Sequence, residues 1–373
     1  MKLRRIYFAG FSLISSLLFS CKGEKPPCEG DGCDTSTVAY SYISNFSSPQ
    51  GGLMYVKGDK IPFKISFSDG GKSVTQVDVF MDNKRIFTDK GGKAESVFEL
   101  ATDTVAYGAH TFRSETTFTS DSTESTEIQV LVVPKQGPEQ YSYKVVTKYP
   151  HDVGAYTQGL VFENGMMYEG TGQLGRSEIR YVDFKQNKVV RSQKLNDKVF
   201  GEGVAIVGDK AYQLSWQNRK GFVYDKNTFK LIKEFNYTTE GWGLTYDGTD
   251  LILSDGSSTL YFYEPENFTL KRKLVVFDNQ SDVNMLNELE YIEGEIWANV
   301  YQTDKIVRID PKTGLVKATL NMDGLLTMDE QMNHTDVLNG IAYDAASKKF
   351  YVTGKLWPWV FEVVPVKKDI AAK

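Results

Sequence analysis

The sequence contains few of the residues that build transition-metal centres and disulfide frameworks, with three histidines and three cysteines among 373 residues. A histidine-based metal site is therefore not expected. Prolines number only 11, against 32 glycines and 13% aromatic residues, which favours a strand-rich globular chain over a disordered one. The formal net charge is −5, and it becomes −8 without the three basic residues of the amino terminus, so a nucleic-acid partner is not expected.

Long hydrophobic runs are also absent, apart from one apolar stretch near the amino terminus, from Ile6 to Phe19. The stretch follows basic residues and is too short to span a bilayer well, so it predicts a secretory signal peptide at 1–20. Leu18-Phe19-Ser20-Cys21 resembles a bacterial lipobox. Cys21 is then the predicted lipid-attachment residue of an exported, membrane-anchored lipoprotein. The alternative is an ordinary leader that contains a cysteine.

A polar segment at 21–38 follows the leader and predicts a tether to the first domain. Cys28 and Cys33 lie in this tether, where an exported location permits a small disulfide. Two free thiols fit the sequence equally well. A metal site is less favoured, because no histidine or further cysteine is near.

Residues 39–134 have the pattern of short strands, and their number is typical of an immunoglobulin-like β-sandwich. The clearest is Ile61-Pro-Phe63-Lys-Ile65-Ser-Phe67, which alternates with period two. No Cys-Trp-Cys core is present, so an inter-sheet disulfide is not expected. His110 lies in an alternating strand and is interpreted as a packing or surface residue. The segment offers no catalytic constellation.

After Pro134-Lys-Gln-Gly-Pro138, residues 139–367 consist of strands in repeated groups of four. Five polar or aromatic residues, most of them beside a glycine, open successive groups at spacings of 44, 40, 45 and 52 residues: Gln158, Glu202, Trp242, Asn287 and Asn339. This period predicts a five-bladed β-propeller and an all-β fold. The last group lacks one outer strand, which Lys144-Val-Val-Thr-Lys148 could supply to close the ring.

If each group begins at a common axis, the residues at these positions converge at one mouth and form a candidate site. Glu202 stands between two glycines ahead of an apolar strand, where a structural role would be unusual. Trp242 occupies an equivalent position, and Lys355 ends an apolar strand beside Trp357. Trp216 could instead pack between blades, and Gln158 and Asn287 could merely satisfy backbone groups. Glu288 and Glu290 could each face the channel or a neighbouring blade.

Seven motifs, in order along 141–366, resemble the glutamine cyclotransferase family, the plant and bacterial type of glutaminyl-peptide cyclotransferase. They are Thr157-Gln-Gly-Leu160, Gly201-Glu-Gly203, Gly241-Trp-Gly-Leu244, Leu286-Asn-Glu-Leu-Glu290, Ile296-Trp-Ala-Asn299, Asp336-Val-Leu-Asn-Gly-Ile341 and Thr353-Gly-Lys-Leu-Trp-Pro358. The resemblance implies a five-bladed propeller and a metal-independent aminoacyl-type acyltransferase. Such an enzyme converts amino-terminal glutamine of peptides or proteins into pyroglutamate without a cofactor.

The resemblance also implies roles for individual residues. Glu202 would be the general acid/base, and Gln158, Trp216, Trp242, Asn287 and Lys355 would form the substrate pocket. Tyr301 stands where the family commonly carries a second tryptophan, so the pocket wall there should differ in reach. We expect a monomer whose partners are peptides or proteins with amino-terminal glutamine, together with the membrane at Cys21.

Two other functions remain open at the level of sequence. A calcium-dependent propeller hydrolase of the lactonase kind also uses Glu and Asn at an axial mouth, but it needs several oxygen ligands around one ion. Two tryptophans at the mouth argue against that choice. A non-enzymatic propeller could instead bind peptides through the same aromatic mouth.

Overall fold

The computed structural model describes residues 42–368. The predicted leader at 1–20, the tether at 21–38 and all three cysteines lie outside the described residues. The described chain is all-β, with two short 3-10 helices at Thr102–Thr104 and Met328–Glu330. No helix within 42–368 combines the length and hydrophobicity that a membrane crossing requires. The chain divides into two compact units, the first ending at Val132 and the second beginning at Val133, with Ala106–Gly108 grouped with the second.

The described part of the first unit consists of two sheets. Its strands are β1 (Ser44–Ser48), β2 (Leu53–Val56), β3 (Lys60–Phe67), β4 (Val74–Met81), β5 (Lys84–Lys90), β6 (Glu95–Ala101), β7 (Gly108–Phe118) and β8 (Thr123–Val133). One sheet has the order β1-β3-β6 and the other β2-β8-β7-β4-β5. The predicted period-two alternation at 61–67 is confirmed, since Ile61, Phe63, Ile65 and Phe67 are all buried. Side chains from both sheets share one core, in which Phe63 packs against Phe112.

The second unit is built from antiparallel strands in groups. They are β9 (Glu139–Pro150), β10 (Thr157–Glu163), β11 (Met166–Thr171), β12 (Glu178–Asp183), β13 (Lys188–Lys194), β14 (Gly201–Val207), β15 (Lys210–Ser215), β16 (Lys220–Asp225), β17 (Leu231–Asn236), β18 (Leu244–Tyr246), β19 (Leu251–Ser254), β20 (Thr259–Glu264), β21 (Thr269–Val275), β22 (Leu286–Ile292), β23 (Glu295–Val300), β24 (Lys305–Ile309), β25 (Val316–Asn321), β26 (Leu338–Asp344), β27 (Lys349–Gly354) and β28 (Trp359–Lys367).

Three of these groups are separate four-stranded sheets, β10 to β13, β14 to β17 and β18 to β21. The remaining strands join in an eight-stranded sheet of order β22-β23-β24-β25-β9-β28-β27-β26. The strand predicted at 144–148 is confirmed: β9 pairs antiparallel with β28 from Trp359↔Pro150 to Lys367↔Tyr141. It also pairs in parallel with β25 at Ala318↔Glu139. The first strand of the unit therefore completes the last group and links it to the preceding one.

The first strands of the groups, β10, β14, β18, β22 and β26, contact one another in sequence, and β26 contacts β10. Their starts therefore surround one axis. The backbones meet so closely there that side chains are excluded at some positions. A Cβ atom on Gly203 would lie 2.5 Å from the Leu244 nitrogen, and one on Gly243 would lie 2.0 Å from the Asn287 carbonyl oxygen. The glycines of the predicted motifs are thus what allows neighbouring groups to meet at the axis.

Replacing Gly243 by alanine should destabilise the second unit by about 3 kcal/mol, because β18 and β22 must move apart to admit the methyl group. The unfolding transition of this unit, followed by denaturant titration, should move to lower denaturant concentration. An unchanged midpoint would contradict the close backbone approach at the axis.

Candidate active site

Most of the site residues predicted from the sequence lie at the strand starts around the axis. Gln158 lies in β10, Glu202 in β14 and Asn287 in β22, and all three side chains are buried. Trp242 precedes β18 and is half-buried, while Asn339 in β26 is fully buried. At the starts of β10, β14, β22 and β26 consecutive residues are buried, and the pairing with the next strand contains an irregularity there, such as that between Gly201 and Val204.

Glu202 is a buried carboxyl group that accepts a hydrogen bond from a side chain of the neighbouring group. It is 4% exposed, and Gln158 Nε2 donates a hydrogen bond to its Oε1 at 3.2 Å. Burial raises the pKa of Glu202 well above its usual range, and Glu240 adds to the rise, whereas the charge of Lys355 opposes it. A carboxyl group with a raised pKa can both take up and release a proton during a reaction.

Lys355 follows β27 and is also buried, at 1% exposure. Its ammonium group donates to Gln158 Oε1, and it lies over the rings of Tyr156 and Tyr301, 4.7 and 5.9 Å from their centroids. Burial lowers the pKa of Lys355 to about 8, against the opposing charge of Glu202. The amide of Gln158 therefore bridges Lys355 and Glu202, and Asn339 Nδ2 donates to the same amide oxygen at 3.4 Å.

Aromatic side chains form a wall beside this polar network. The rings of Trp242 and Tyr301 meet edge to face at 5.5 Å between centroids, and those of Trp216 and Phe200 do so at 5.7 Å. Tyr301, which stands where the resembling family commonly has tryptophan, thus lies between Trp242 and Lys355. The structure brings Gln158, Glu202 and Lys355 together by hydrogen bonds and Trp242 and Tyr301 by ring contact.

Glu240 is a site residue that the sequence analysis missed. Its Oε2 accepts hydrogen bonds from Nε1 of Trp216 at 2.7 Å and from Nε1 of Trp242 at 3.1 Å. Both indole N–H groups are therefore engaged by one carboxylate. A signal was present, since Glu240 directly precedes the Gly241-Trp242-Gly243 motif, just as Glu202 directly precedes Gly203.

Asn287 lies at the start of β22, where its backbone approaches Gly243 beside Trp242. Its backbone carbonyl accepts from Ser254 Oγ at 2.6 Å, which fixes the strand start. Its side-chain Oδ1 is buried and meets no hydrogen-bond donor among the described residues. A buried acceptor without a partner is costly in a folded protein, so this oxygen is a candidate contact for a bound ligand.

Two further glutamates on β22, Glu288 and Glu290, connect the first strands of neighbouring groups. Glu288 accepts from the backbone N–H groups of Leu160 at 3.2 Å and Ile341 at 2.8 Å, which join β22 to β10 and β26. Glu290 accepts from the Tyr343 N–H at 3.2 Å. Burial raises the pKa of Glu288 well above its usual range and that of Glu290 to about 8. Both carboxyl groups serve strand-to-strand contacts.

The histidines do not assemble into a site. His110 is buried with Nδ1 2.6 Å from Asp82 Oδ2, so of the predicted packing or surface roles it has the packing one. His151 contacts the Trp357 carbonyl at 2.8 Å and Glu169 at 3.0 Å. Between residues 42 and 368, no group of three or more His, Cys, Asp or Glu side chains is placed to hold a metal ion.

A family model described as glutamine cyclotransferase matches residues 113–364. A glutaminyl-peptide cyclotransferase of Arabidopsis thaliana is 41% identical over 224 residues, covering 59% of this chain and 70% of the relative. The crystal structure of Myxococcus xanthus glutaminyl cyclase is similar with a TM-score of 0.59 and 34% identity, covering 62% of this chain and 100% of the other.

Proposed function

This chain belongs to the glutamine cyclotransferase family, and we propose that it converts an amino-terminal glutamine of peptides or proteins into pyroglutamate with release of ammonia. One observation within the matched region carries the proposal. Glu202 is a buried carboxyl group, hydrogen-bonded to Gln158 and linked through that amide to the buried ammonium of Lys355. This arrangement supplies a proton carrier and a cation where the reacting groups would bind.

The main requirement of this reaction is that the protein holds the substrate glutamine in a reactive conformation. The α-amine attacks the γ-carboxamide carbon of the same residue, a new C–N bond closes the lactam ring, and the amide nitrogen leaves as ammonia. Because nucleophile and electrophile belong to one residue, no covalent enzyme intermediate is needed. Holding the near-attack conformer can contribute several kcal/mol. The rigid faces of Trp216, Trp242 and Tyr301 suit this task.

Glu202 is assigned the proton transfers. The attacking amine loses a proton as the C–N bond forms, and the departing nitrogen gains one. A single carboxyl group that accepts the first proton and returns it to the leaving group serves both steps. The raised pKa of Glu202, caused by its burial, suits this double role. An α-amine has an ordinary pKa of about 8, so the site must also favour its neutral form.

Lys355 and Asn287 are assigned the binding of polar groups of the substrate. The tetrahedral intermediate carries negative charge on the former amide oxygen, and donors aimed at it lower the barrier. Both indole N–H groups already donate to Glu240, which leaves the Lys355 ammonium and the Asn287 amide as suitable donors. The unpartnered Asn287 Oδ1 supports a direct contact with substrate N–H groups.

We also propose the finer architecture predicted from sequence. Three separate four-stranded sheets, together with an eight-stranded sheet that divides into two groups of four, support a five-bladed β-propeller at 139–367. The shared core of two sheets supports an immunoglobulin-like sandwich at 39–134. For the first unit a spacer role is proposed, because no residue there suggests chemistry.

Metal independence is part of the proposal and has a direct test. Purified protein is incubated with a glutamine-initiated peptide in the presence of EDTA, and the peptide mass is followed for the loss of one ammonia. Turnover at an unchanged rate is expected. Loss of turnover with EDTA, together with EDTA-sensitive ester hydrolysis, would favour the lactonase-like alternative. Tight peptide binding without turnover would favour a non-enzymatic propeller.

The setting of the enzyme is also proposed from sequence. Cys21 would carry lipid and anchor an exported, monomeric lipoprotein, so that its substrates would be exported peptides or proteins with amino-terminal glutamine. The mass of the mature amino terminus, measured on protein purified from membranes, tests this assignment. An unmodified chain cleaved elsewhere would contradict it.

A further inference from the structure

Two indole rings of the site share one hydrogen-bond acceptor. Trp216 and Trp242 come from different sheets, since Trp216 follows β15 and Trp242 precedes β18. Their N–H groups nevertheless meet at the single Oε2 atom of Glu240, at 2.7 and 3.1 Å. The other carboxylate oxygen accepts a long hydrogen bond from Gln217 Nε2, at 3.4 Å. The carboxylate thus joins two halves of the aromatic wall.

The other contacts of the Trp216 and Trp242 rings are packing contacts, so the hydrogen bond at each N–H edge is what sets the orientation of the indole. One side of Trp242 lies against Gly256, where a Cβ atom would be 2.6 Å from the ring, and Tyr301 meets it edge to face. Trp216 meets Phe200 edge to face. Packing of this kind limits where a ring can lie, and a hydrogen bond adds a directional constraint at the N–H edge. Both rings are half-buried, so solvent could otherwise compete for the N–H groups.

We propose that Glu240 is a positioning residue for the cyclization, which holds both indole rings in the orientation that keeps the glutamine in its near-attack conformer. This inference rests on the proposed function and extends it to a residue outside the predicted pocket. A charged acceptor suits the task, because hydrogen bonds to a carboxylate are shorter and stronger than those to a neutral group. Glu240 acts through Trp216 and Trp242 and does not itself exchange protons with substrate.

The first test compares two variants of Glu240 with a matched control. Glu240→Ala should lower kcat by about 10- to 100-fold with a smaller change in KM, because the bound glutamine would adopt its near-attack conformer less often when the indole rings are misplaced. Glu240→Gln keeps a carbonyl acceptor for both indoles and should lose only about threefold. The control is Glu234→Gln, which removes an exposed carboxylate paired with Lys220 on neighbouring strands and should leave kcat unchanged. Equal losses in the alanine and glutamine variants would overturn the positioning role, because charge alone would then matter.

A double-mutant cycle tests whether Glu240 acts through the indoles. Trp216→Phe/Trp242→Phe keeps two aromatic rings but removes both N–H donors. In that background Glu240→Ala should change kcat by less than about twofold, since the groups it acts through are gone. A full additional loss would mean that Glu240 contacts substrate directly, which overturns the inference.

Indole fluorescence provides a readout that does not depend on turnover. Glu240→Ala should increase quenching of tryptophan emission by acrylamide, and the increase should vanish in the Trp216→Phe/Trp242→Phe background. No increase in the first comparison, or the same increase in the second, would overturn the inference. Absence of cyclase activity in the unmodified protein would instead count against the proposed function, and the fluorescence result would still report on Glu240.

Discussion

Glu202→Gln is expected to lower kcat by about 10²- to 10⁴-fold while leaving peptide affinity nearly unchanged, because proton transfer by a positioned side chain contributes a factor of that size. Glutamine keeps the size of the side chain and can still accept from Gln158 Nε2, which now bonds the carboxyl oxygen. It cannot carry a proton between the amine and the leaving nitrogen. The variant should therefore bind a glutamine-initiated peptide and fail to release ammonia, as measured by titration calorimetry and by mass.

Glu290→Gln is the matched control for this experiment. Glu290 is also a buried carboxyl group, its pKa is raised to about 8 by burial, and it accepts from a backbone N–H. Glutamine reproduces the uncharged, hydrogen-bonded form of that side chain, so kcat should change little. Full activity in Glu202→Gln would remove Glu202 from its assigned role.

Lys355→Met is expected to lower kcat/KM by about 100-fold at neutral pH, the usual effect of removing one donor to a developing oxyanion. The loss should depend on pH in a defined direction. Burial lowers the pKa of Lys355 to about 8, so its ammonium is present below that pH and lost above it. The ratio of wild-type to variant kcat/KM should therefore fall as the pH rises through about 8. Titration of the substrate amine cancels in this ratio, because both enzymes receive the same peptide.

The same variant should be more stable than the wild type at neutral pH. A folded-state pKa of about 8, against an ordinary value of 10.5, means that the charged lysine disfavours the folded state below pH 8. This difference in pKa corresponds to a destabilisation of the folded state by at most about 3 kcal/mol. The destabilisation disappears as the pH rises from about 8 toward the pKa of lysine in the unfolded chain. An inactive but more stable variant would show that activity was not lost by unfolding. A ratio of kcat/KM that does not change with pH would contradict a role for the ammonium.

Much of the axial arrangement could be predicted, because the sequence repeats its glycine-flanked motifs at the start of each group. The missing outer strand at 144–148 and the meeting of Gln158 with Glu202 follow from that repetition, whereas Lys355 was expected in the pocket from the family resemblance. The orientations of Glu288 and Glu290 could not be derived. Pairing between β22 and β23 shifts register between Leu286 and Leu289, so simple alternation no longer tells which face a side chain takes.

The role of Glu240 was beyond sequence analysis for a different reason. Its partner Trp216 lies 24 residues earlier in the chain, and their contact depends on how two loops approach each other across the mouth. Local patterns record strand periodicity and turn chemistry, but they do not record which side chains meet between sheets. The proximity of Glu240 to the Trp242 motif could be read from the sequence, whereas its simultaneous contact with two indoles could not.

The pairing of β9 with β28 couples the beginning of the second unit to its end. Tyr149 and Glu362, which lie in these strands, are hydrogen-bonded across 213 residues of chain. Bringing together residues so far apart in the chain costs conformational entropy, which the pairing offsets only once it has formed. Assembly of this unit therefore depends on contacts that are distant in sequence. During synthesis, the site at the axis can therefore form only after β28 has been made and has paired with β9.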